Sequence, residues 1–291
     1  MKTININFIQ IIFLIITFFV FRVQNSHAEI IKANNFAILK NEVMKSVSKD
    51  SLVLFDVDDV LISPTDEFNF RNKIRKDLKK EISQNKSKQE VQVIFSDFFL
   101  KRKVKLVNEN MPKLLKFLKD KKISVSALSS WWTDNFGTIQ EMEKQRLKEL
   151  QQVKISFADL SPFNKGISLT PDKTAHGGTP MIISGIILTA LGDKGEVLGL
   201  ALKSINKKFK RIIFIDDQKK YLEEVEKFCK GHGLDFVGIH YTESWLAPIP
   251  EFDFAKEKLR FNILKEEHVW LSAPELQERL WLLKSLVRKP A

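Results

Sequence analysis

Ser51-Leu52-Val53-Leu54-Phe55-Asp56-Val57-Asp58-Asp59-Val60 is the stretch on which the reading of this 291-residue chain turns. A short β-prone apolar run ends abruptly in carboxylates. A strand buried on both faces of a parallel sheet has this pattern, with acids emerging at its C-terminal end. The pattern recurs at Arg211-Ile212-Ile213-Phe214-Ile215, which ends in Asp216-Asp217 and is followed by an amphipathic stretch over 221–230. Between the two, residues 123–128 read as a third apolar strand, ending in Ser129-Ser130. Helical spacing is predicted over 111–121 and 195–208. Strands alternating with helices imply an α/β fold, a Rossmann-like parallel sheet wrapped by helices. In such sheets ligands bind outside the carboxyl ends of the strands, so topology alone gathers Asp56, Asp58, Ser129 and Asp216 at one place.

Composition sets the bounds. The chain has 47 Lys+Arg against 36 Asp+Glu, a net charge of +11, and 44% hydrophobic residues. These values are globular and exclude disordered, collagenous and coiled-coil classes. The length suffices for one large domain or a core with an insertion. A single cysteine, Cys229, excludes an internal disulfide framework and a cysteine-based zinc site. At the N-terminus, Lys2 precedes a mostly apolar run over 8–21, and Ser26-His27-Ala28 offers small residues at the cleavage positions. Residues 1–28 are therefore expected to be a secretory signal peptide, and the chain an exported one, periplasmic or secreted. Its removal takes away Lys2 and Arg22, and no later segment is apolar long enough to span a bilayer.

Taken together, four motifs resemble the haloacid-dehalogenase-like (HAD) hydrolase superfamily on its phosphatase side. The first is Asp56-Val57-Asp58-Asp59-Val60; the second is the strand ending in Ser129. The third is a lysine opening a helix, best matched by Lys194-Gly195-Glu196-Val197-Leu198, with Lys203 as the competing choice. The fourth is Ile212-Ile213-Phe214-Ile215-Asp216-Asp217. The resemblance covers roughly residues 50–240. With the export signal, a hairpin-like stretch before Lys194 and a helical tail, the chain resembles an uncharacterised secreted bacterial branch of that superfamily.

The resemblance implies a phosphoric monoester hydrolase or phosphotransferase acting on a small phosphate ester. Asp56 would attack phosphorus to form an aspartyl-phosphate. Asp58 would protonate the leaving oxygen and later deprotonate the attacking water. Mg²⁺ favours oxygen ligands, and Asp56, the Asp58 carbonyl and Asp216 would hold it. Ser129, or Ser130 if the register slips by one, would donate to a phosphoryl oxygen, and Lys194 would balance the carboxylates. Asp217 is open between a water-mediated metal contact and a neighbouring role; Asp59 is open between a helix start and a solvated turn.

The remaining features bear on substrate and partners. Trp131 and Trp132 follow Ser130 where relatives carry other residues. Either an indole stacks on an aromatic leaving group, or one Trp packs in the core and the other caps a helix begun at Thr133 or Asp134. Residues 68–105 are expected to form a small helical cap. Within 71–105 stand twelve Lys/Arg and four acids, most of the net charge of the chain. A basic cap implies a small phosphorylated substrate, strongly anionic, drawn by local attraction; a plain solvated helix face is the other account. The division expected is thus core at 29–67 and 106–245, cap at 68–105, and a helical tail at 246–291. Nucleic acid is not expected as the main partner, because no basic-aromatic motif of a known reader is present. A catalytically weak HAD-like binding or interaction protein is the alternative function. The loop over 162–180, with His176, reads as a lid or a surface connection, Cys229 as core, and His232 as a helix C-terminal turn.

Overall fold

The strands run β1 (Ala28–Ala33), β2 (Ser51–Phe55), β3 (Ile62–Pro64), β4 (Val104–Leu106), β5 (Ser124–Ser129), β6 (Ile167–Ser168), β7 (Met181–Ile183), β8 (Ile186–Leu188), β9 (Arg211–Asp216) and β10 (Asp235–Tyr241). They belong to a computed structural model that describes residues 27–163, 165–171 and 175–287. Eight of them form one sheet in the order β1-β10-β9-β2-β5-β8-β7-β6. Pairing is parallel from β1 to β8, and β7 and β6 close one edge antiparallel. The fold is thus α/β and Rossmann-like, as the alternation of strands and helices implies.

Every residue of β2 and β5 is buried; β2 reads as a continuous apolar run from Leu52 to Phe55, whereas β5 also buries Ser124 and Ser126, the Ser126 hydroxyl donating to the Gly185 carbonyl at 2.6 Å. Their side chains still alternate between two cores. Val53, Phe55, Val125, Ala127, Ile213 and Ile215 enter one cluster, whereas Leu52, Leu54, Leu128, Ile212 and Phe214 enter the other. Register then fixes the site. Phe55 pairs with Ile215, so Asp56 and Asp216 stand level one step beyond, and His240 pairs with Asp216.

The helices are α1 (Phe36–Ser46), α2 (Lys73–Ser83), α3 (Lys88–Lys101), α4 (Met111–Asp120), α5 (Met142–Gln152), α6 (Lys194–Lys203), α7 (Lys219–Gly231), α8 (Glu243–Leu246), α9 (Phe254–Glu267) and α10 (Ala273–Val287). α2 and α3 form an insertion between β3 and β4, the segment expected as a cap. Its stem is β3 paired antiparallel with β4, Ile62 opposite Leu106 and Pro64 opposite Val104. The tail folds back onto this cap instead of standing apart. α9 packs against α2. Trp270 is buried among Phe68, Phe70, Phe98 and Phe261. Arg75 of α2 donates from Nε to Glu257 of α9 at 2.8 Å.

Three expectations need correction or placing. The helix expected from Thr133 or Asp134 starts only at Met142. Thr133 Oγ1 instead donates to the Thr179 carbonyl at 2.8 Å, and Asp134 accepts from the Thr179 amide at 2.7 Å, which ties this segment to the 176–179 loop. The helix expected over 195–208 stops at Lys203, where Ser204 Oγ turns back to the Ala201 carbonyl at 2.7 Å. Of the expected signal segment, residues 1–26 lie outside the described residues. Ala28 already belongs to β1, paired with Phe236. No helix among the described residues is long and apolar enough to cross a membrane.

Candidate active site

Asp56 leaves β2 with its amide donating to the Ile215 carbonyl at 2.8 Å, still in the register of the sheet. The chain then turns sharply: the amides of Leu61 and Ile62 both return to the Val57 carbonyl at 3.0 Å, and Asp59 sits at φ 59. Asp59 is therefore a half-buried turn residue in the left-handed region, neither a helix start nor freely solvated. The turn sends Asp56 and Asp58 to different partners.

Asp56 meets Lys194. Asp193 caps α6 by accepting from the Glu196 amide at 2.8 Å, and Lys194 is the first residue of the helix. Its ammonium is fully buried and lies 2.9 Å from Asp56 Oδ1 and 2.7 Å from Asp216 Oδ2. Burial disfavours the charge, but Asp216 and Asp56 outweigh it and hold the ammonium above its ordinary range. Lys203, at the other end of α6, is exposed and remote from this contact.

Asp216 and Asp217 end β9. Asp216 Oδ1 accepts from the Gln218 amide at 2.7 Å; Asp217 Oδ2 accepts from Gln218 Nε2 at 2.6 Å and Trp245 Nε1 at 3.1 Å. His240 Nε2 lies 2.9 Å from the Asp217 carbonyl. Carboxylate oxygens of Asp56, Asp216 and Asp217 all lie within 4.8 Å of one another, a buried all-oxygen set that can hold a metal ion. Burial pushes Asp56 up to about 7, opposed by Lys194 and reinforced by Asp216. Burial likewise raises Asp216 to about 6 against Lys194, and Asp217 to about 7 with help from Asp56. Three carboxylates around one ammonium leave excess negative charge, the electrostatic condition a cation relieves. Asp217 thus stands in the carboxylate cluster in its own right, and the Asp58 side chain does not.

Asp58 is held elsewhere. Arg102 Nη2 donates to its Oδ1 at 2.7 Å, and Arg146 Nη2 donates to its Oδ2. Glu149 completes the network, accepting from Arg102 Nη1 at 2.9 Å and Arg146 Nη1 at 2.8 Å. Burial would raise Asp58, yet Arg146 and Arg102 hold it well below the usual carboxylate range. A carboxylate so clamped stays ionised: it carries no proton to give and is a weak base while both arginines hold it. Trp131 supports the clamp: Arg146 lies 3.7 Å over its ring, and its Nε1 donates to the Met142 carbonyl at 2.9 Å. Trp131 is therefore buried packing, and the half-buried Trp132 faces the cap, with Lys88 at 5.0 Å over its ring.

Ser129 ends β5, buried, and its carbonyl accepts from the Thr189 amide at 2.9 Å. Ser130, one residue on, is half-buried. Thr189 follows β8 on the same edge, and its buried hydroxyl has no hydrogen-bond partner among the described residues. Next to it, Ala190 and Leu191 both adopt positive φ, at 49° and 62°. Two successive non-glycine residues in this region cost about 1–2 kcal/mol each, strain that the lead-in to Lys194 sustains. Cys229 is core, its thiol pushed up to about 12 by burial, and is no nucleophile.

Sequence reasoning thus missed Arg102 as a site residue, along with Arg146, Glu149 and Thr189. The available signal was α5 itself, whose buried face consists of Glu143, Gln145, Arg146 and Glu149 beside Met142 and Leu150. Charged residues at core spacing on a helix mean a buried ion network.

Comparison with other proteins adds kinship without chemistry. An uncharacterized protein of Rickettsia bellii (strain RML369-C) is 23% identical over 229 residues, covering 74% of this chain and 78% of the relative. No solved structure matches the chain significantly. A family model matches residues 32–277, spanning cap, sheet and most of the tail, and the chain belongs to that family, described as a protein of unknown function (DUF2608).

Proposed function

We propose that the protein is a haloacid-dehalogenase-like phosphatase or phosphotransferase that works through Asp56. The observation carrying this reading is the Lys194 ammonium between Asp56 and Asp216, at the carboxyl ends of adjacent parallel strands, with Asp217 completing an oxygen cluster. In the first step an Asp56 carboxylate oxygen bonds to phosphorus and the ester P–O bond breaks; the leaving oxygen departs as a phenoxide, or as an alcohol when Asp58, freed from its arginines and protonated, gives it a proton. In the second, water attacks the aspartyl-phosphate, Asp58 takes its proton, and the bond to Asp56 breaks to release phosphate. Lys194 keeps Asp56 oriented throughout, and Ser129, at the end of β5, would donate to a phosphoryl oxygen. The clamp holds Asp58 ionised and weakly basic, so it takes a proton only once Arg102 and Arg146 release it. Its role as acid requires Arg102 and Arg146 to turn toward the incoming anion.

Mg²⁺ is the metal we propose: the donors are hard oxygens, from Asp56, Asp216, Asp217 and the Asp58 carbonyl. When bound, it would neutralise charge on the phosphoryl oxygens. Export, read from residues 1–28, belongs to the same proposal. The test is turnover of p-nitrophenyl phosphate with Mg²⁺ by wild type and Asp56→Asn. Loss of at least a hundredfold in the variant is expected, and equal rates would overturn the mechanism. The clamped Asp58 is what favours the second reading, a fold retained for binding, and no turnover by wild type would select it.

A further inference from the structure

Between the cap helices α2 and α3 and the segment around Trp131 and Phe136 lies a cavity of about 720 Å³. Its inner end is formed by Asp58, Asp59 and Arg102, the outward side of the site. Its walls are rings: Phe68, Phe95, Phe98 and Phe136 are buried around it, and Phe70 and Phe99 are partly exposed. Lys76, Lys79, Lys86 and Lys88 also line it. Among the described residues none of these four is within ion-pair distance of a carboxylate. Lys73, Lys101 and Lys105 of the same insertion, which do not line the cavity, are paired with Asp77, Asp97 and Asp66. Lys79 lies 5.3 Å over the ring of Phe70.

The volume is that of a site for a drug-sized ligand, several times what a phosphate group fills. Water gains little against phenylalanine walls, so an apolar occupant is favoured by the surface it removes from solvent. Ammonium groups without a carboxylate partner attract an anion and break no ion pair when one arrives, although Lys88 first has to release the His176 carbonyl to which it donates. We infer that the cavity receives the leaving group of a phosphate monoester, and that this group is an apolar alkyl or aryl chain. The inference rests on the phosphatase reading for the position of the phosphate, at the Asp58 end. The lysines draw the anionic amphiphile in, and the rings select its body. The charge of the cap therefore sets attraction, and its phenylalanines set specificity.

The test uses butyl-, hexyl- and octylphosphonate, whose C–P bond is not hydrolysed, titrated into the full chain and into Asp56→Asn by calorimetry. Kd is expected to fall by about fourfold per added methylene in both proteins. Gln92→Trp places a large ring in the cavity from α3, and is expected to flatten that dependence. Affinity independent of chain length in the wild type overturns the inference. So does an undiminished dependence in a Gln92→Trp protein that melts like wild type. If Gln92→Trp does not fold, the wild-type series alone decides. A steep series with no turnover of p-nitrophenyl phosphate would retain the cavity and discard the phosphatase; turnover with a flat series would do the reverse.

Discussion

At the scale of single residues, Lys194 is the side chain on which the site depends. It is fully buried between two carboxylates, so its charge is matched only by theirs. Lys194→Met keeps the apolar stem but leaves Asp56 and Asp216 buried, close and uncompensated. Breaking such a buried pair costs about 3–5 kcal/mol. Urea unfolding in chelator-treated buffer should show that loss, and millimolar Mg²⁺ should restore part of it. Unchanged stability without metal would mean that the carboxylates do not depend on the ammonium. Asp56 and Asp216 were legible in the sequence because each stands at the end of an apolar strand, and Lys194 through the resemblance of the four motifs. The clamp on Asp58 was not, because Arg102 lies 44 residues away and Arg146 88. No local pattern states which of many cations will fold onto a given carboxylate. Thr189 was invisible for another reason: its place on the edge follows from a three-residue strand, too short to carry a period.

At the scale of elements, the site depends on how closely α6 lies on α7. A Cβ added at Gly195 would stand 2.4 Å from the Glu224 carbonyl oxygen, which is backbone and cannot swing aside. The neighbouring Lys194 amide donates to Glu224 Oε2 at 2.9 Å, so the same turn anchors the lysine. Gly195→Ala must therefore push the two helices apart and carry Lys194 with them. A stability loss of about 1–3 kcal/mol is expected from the overpacking. Turnover of p-nitrophenyl phosphate should fall further than stability explains at a temperature where the variant is fully folded. Wild-type rates in a destabilised Gly195→Ala would separate helix packing from the placement of the lysine. The three central strands β2, β5 and β9 were legible to within about a residue, because burial on both faces selects apolar and small residues; β1, β3, β4 and β6 were not read as strands. Helix ends were less so. α6 ends in a serine hydrogen bond rather than at a change of composition. The stretch before α5 is ordered by contacts with the 176–179 loop, over 40 residues away.

At the scale of the whole molecule, cap and tail form one body, although about 180 residues separate their joined elements. The insertion was legible from its charge and helical spacing. Its union with the tail was not, because an aromatic cluster shared between Phe68, Phe98, Phe261 and Trp270 looks, along the chain, like two unrelated sets of apolar residues. The joint is testable at Glu257. Its carboxylate takes Arg75 Nε at 2.8 Å and lies 3.3 Å from Arg260, all three side chains being buried. Arg75 also donates through Nη1 to the carbonyls of Asp66, Glu67 and Asn69, so the guanidinium cannot leave for solvent without unmaking the start of the cap. Glu257→Ala leaves two arginines buried without an anion, a cost of about 3–5 kcal/mol. Because Arg75 and Glu257 belong to α2 and α9, that cost should fall on the cap and tail and spare the sheet. Hydrogen–deuterium exchange of the variant should then show α2, α3 and α9 losing protection together, while β2, β5 and β9 keep theirs. Chain-length selectivity for alkylphosphonates should weaken in the same protein, since the phenylalanine walls hang on those helices. Loss of protection spread evenly over sheet and cap would mean a single cooperative unit, and loss confined to α9 would mean that the tail merely rests on the cap.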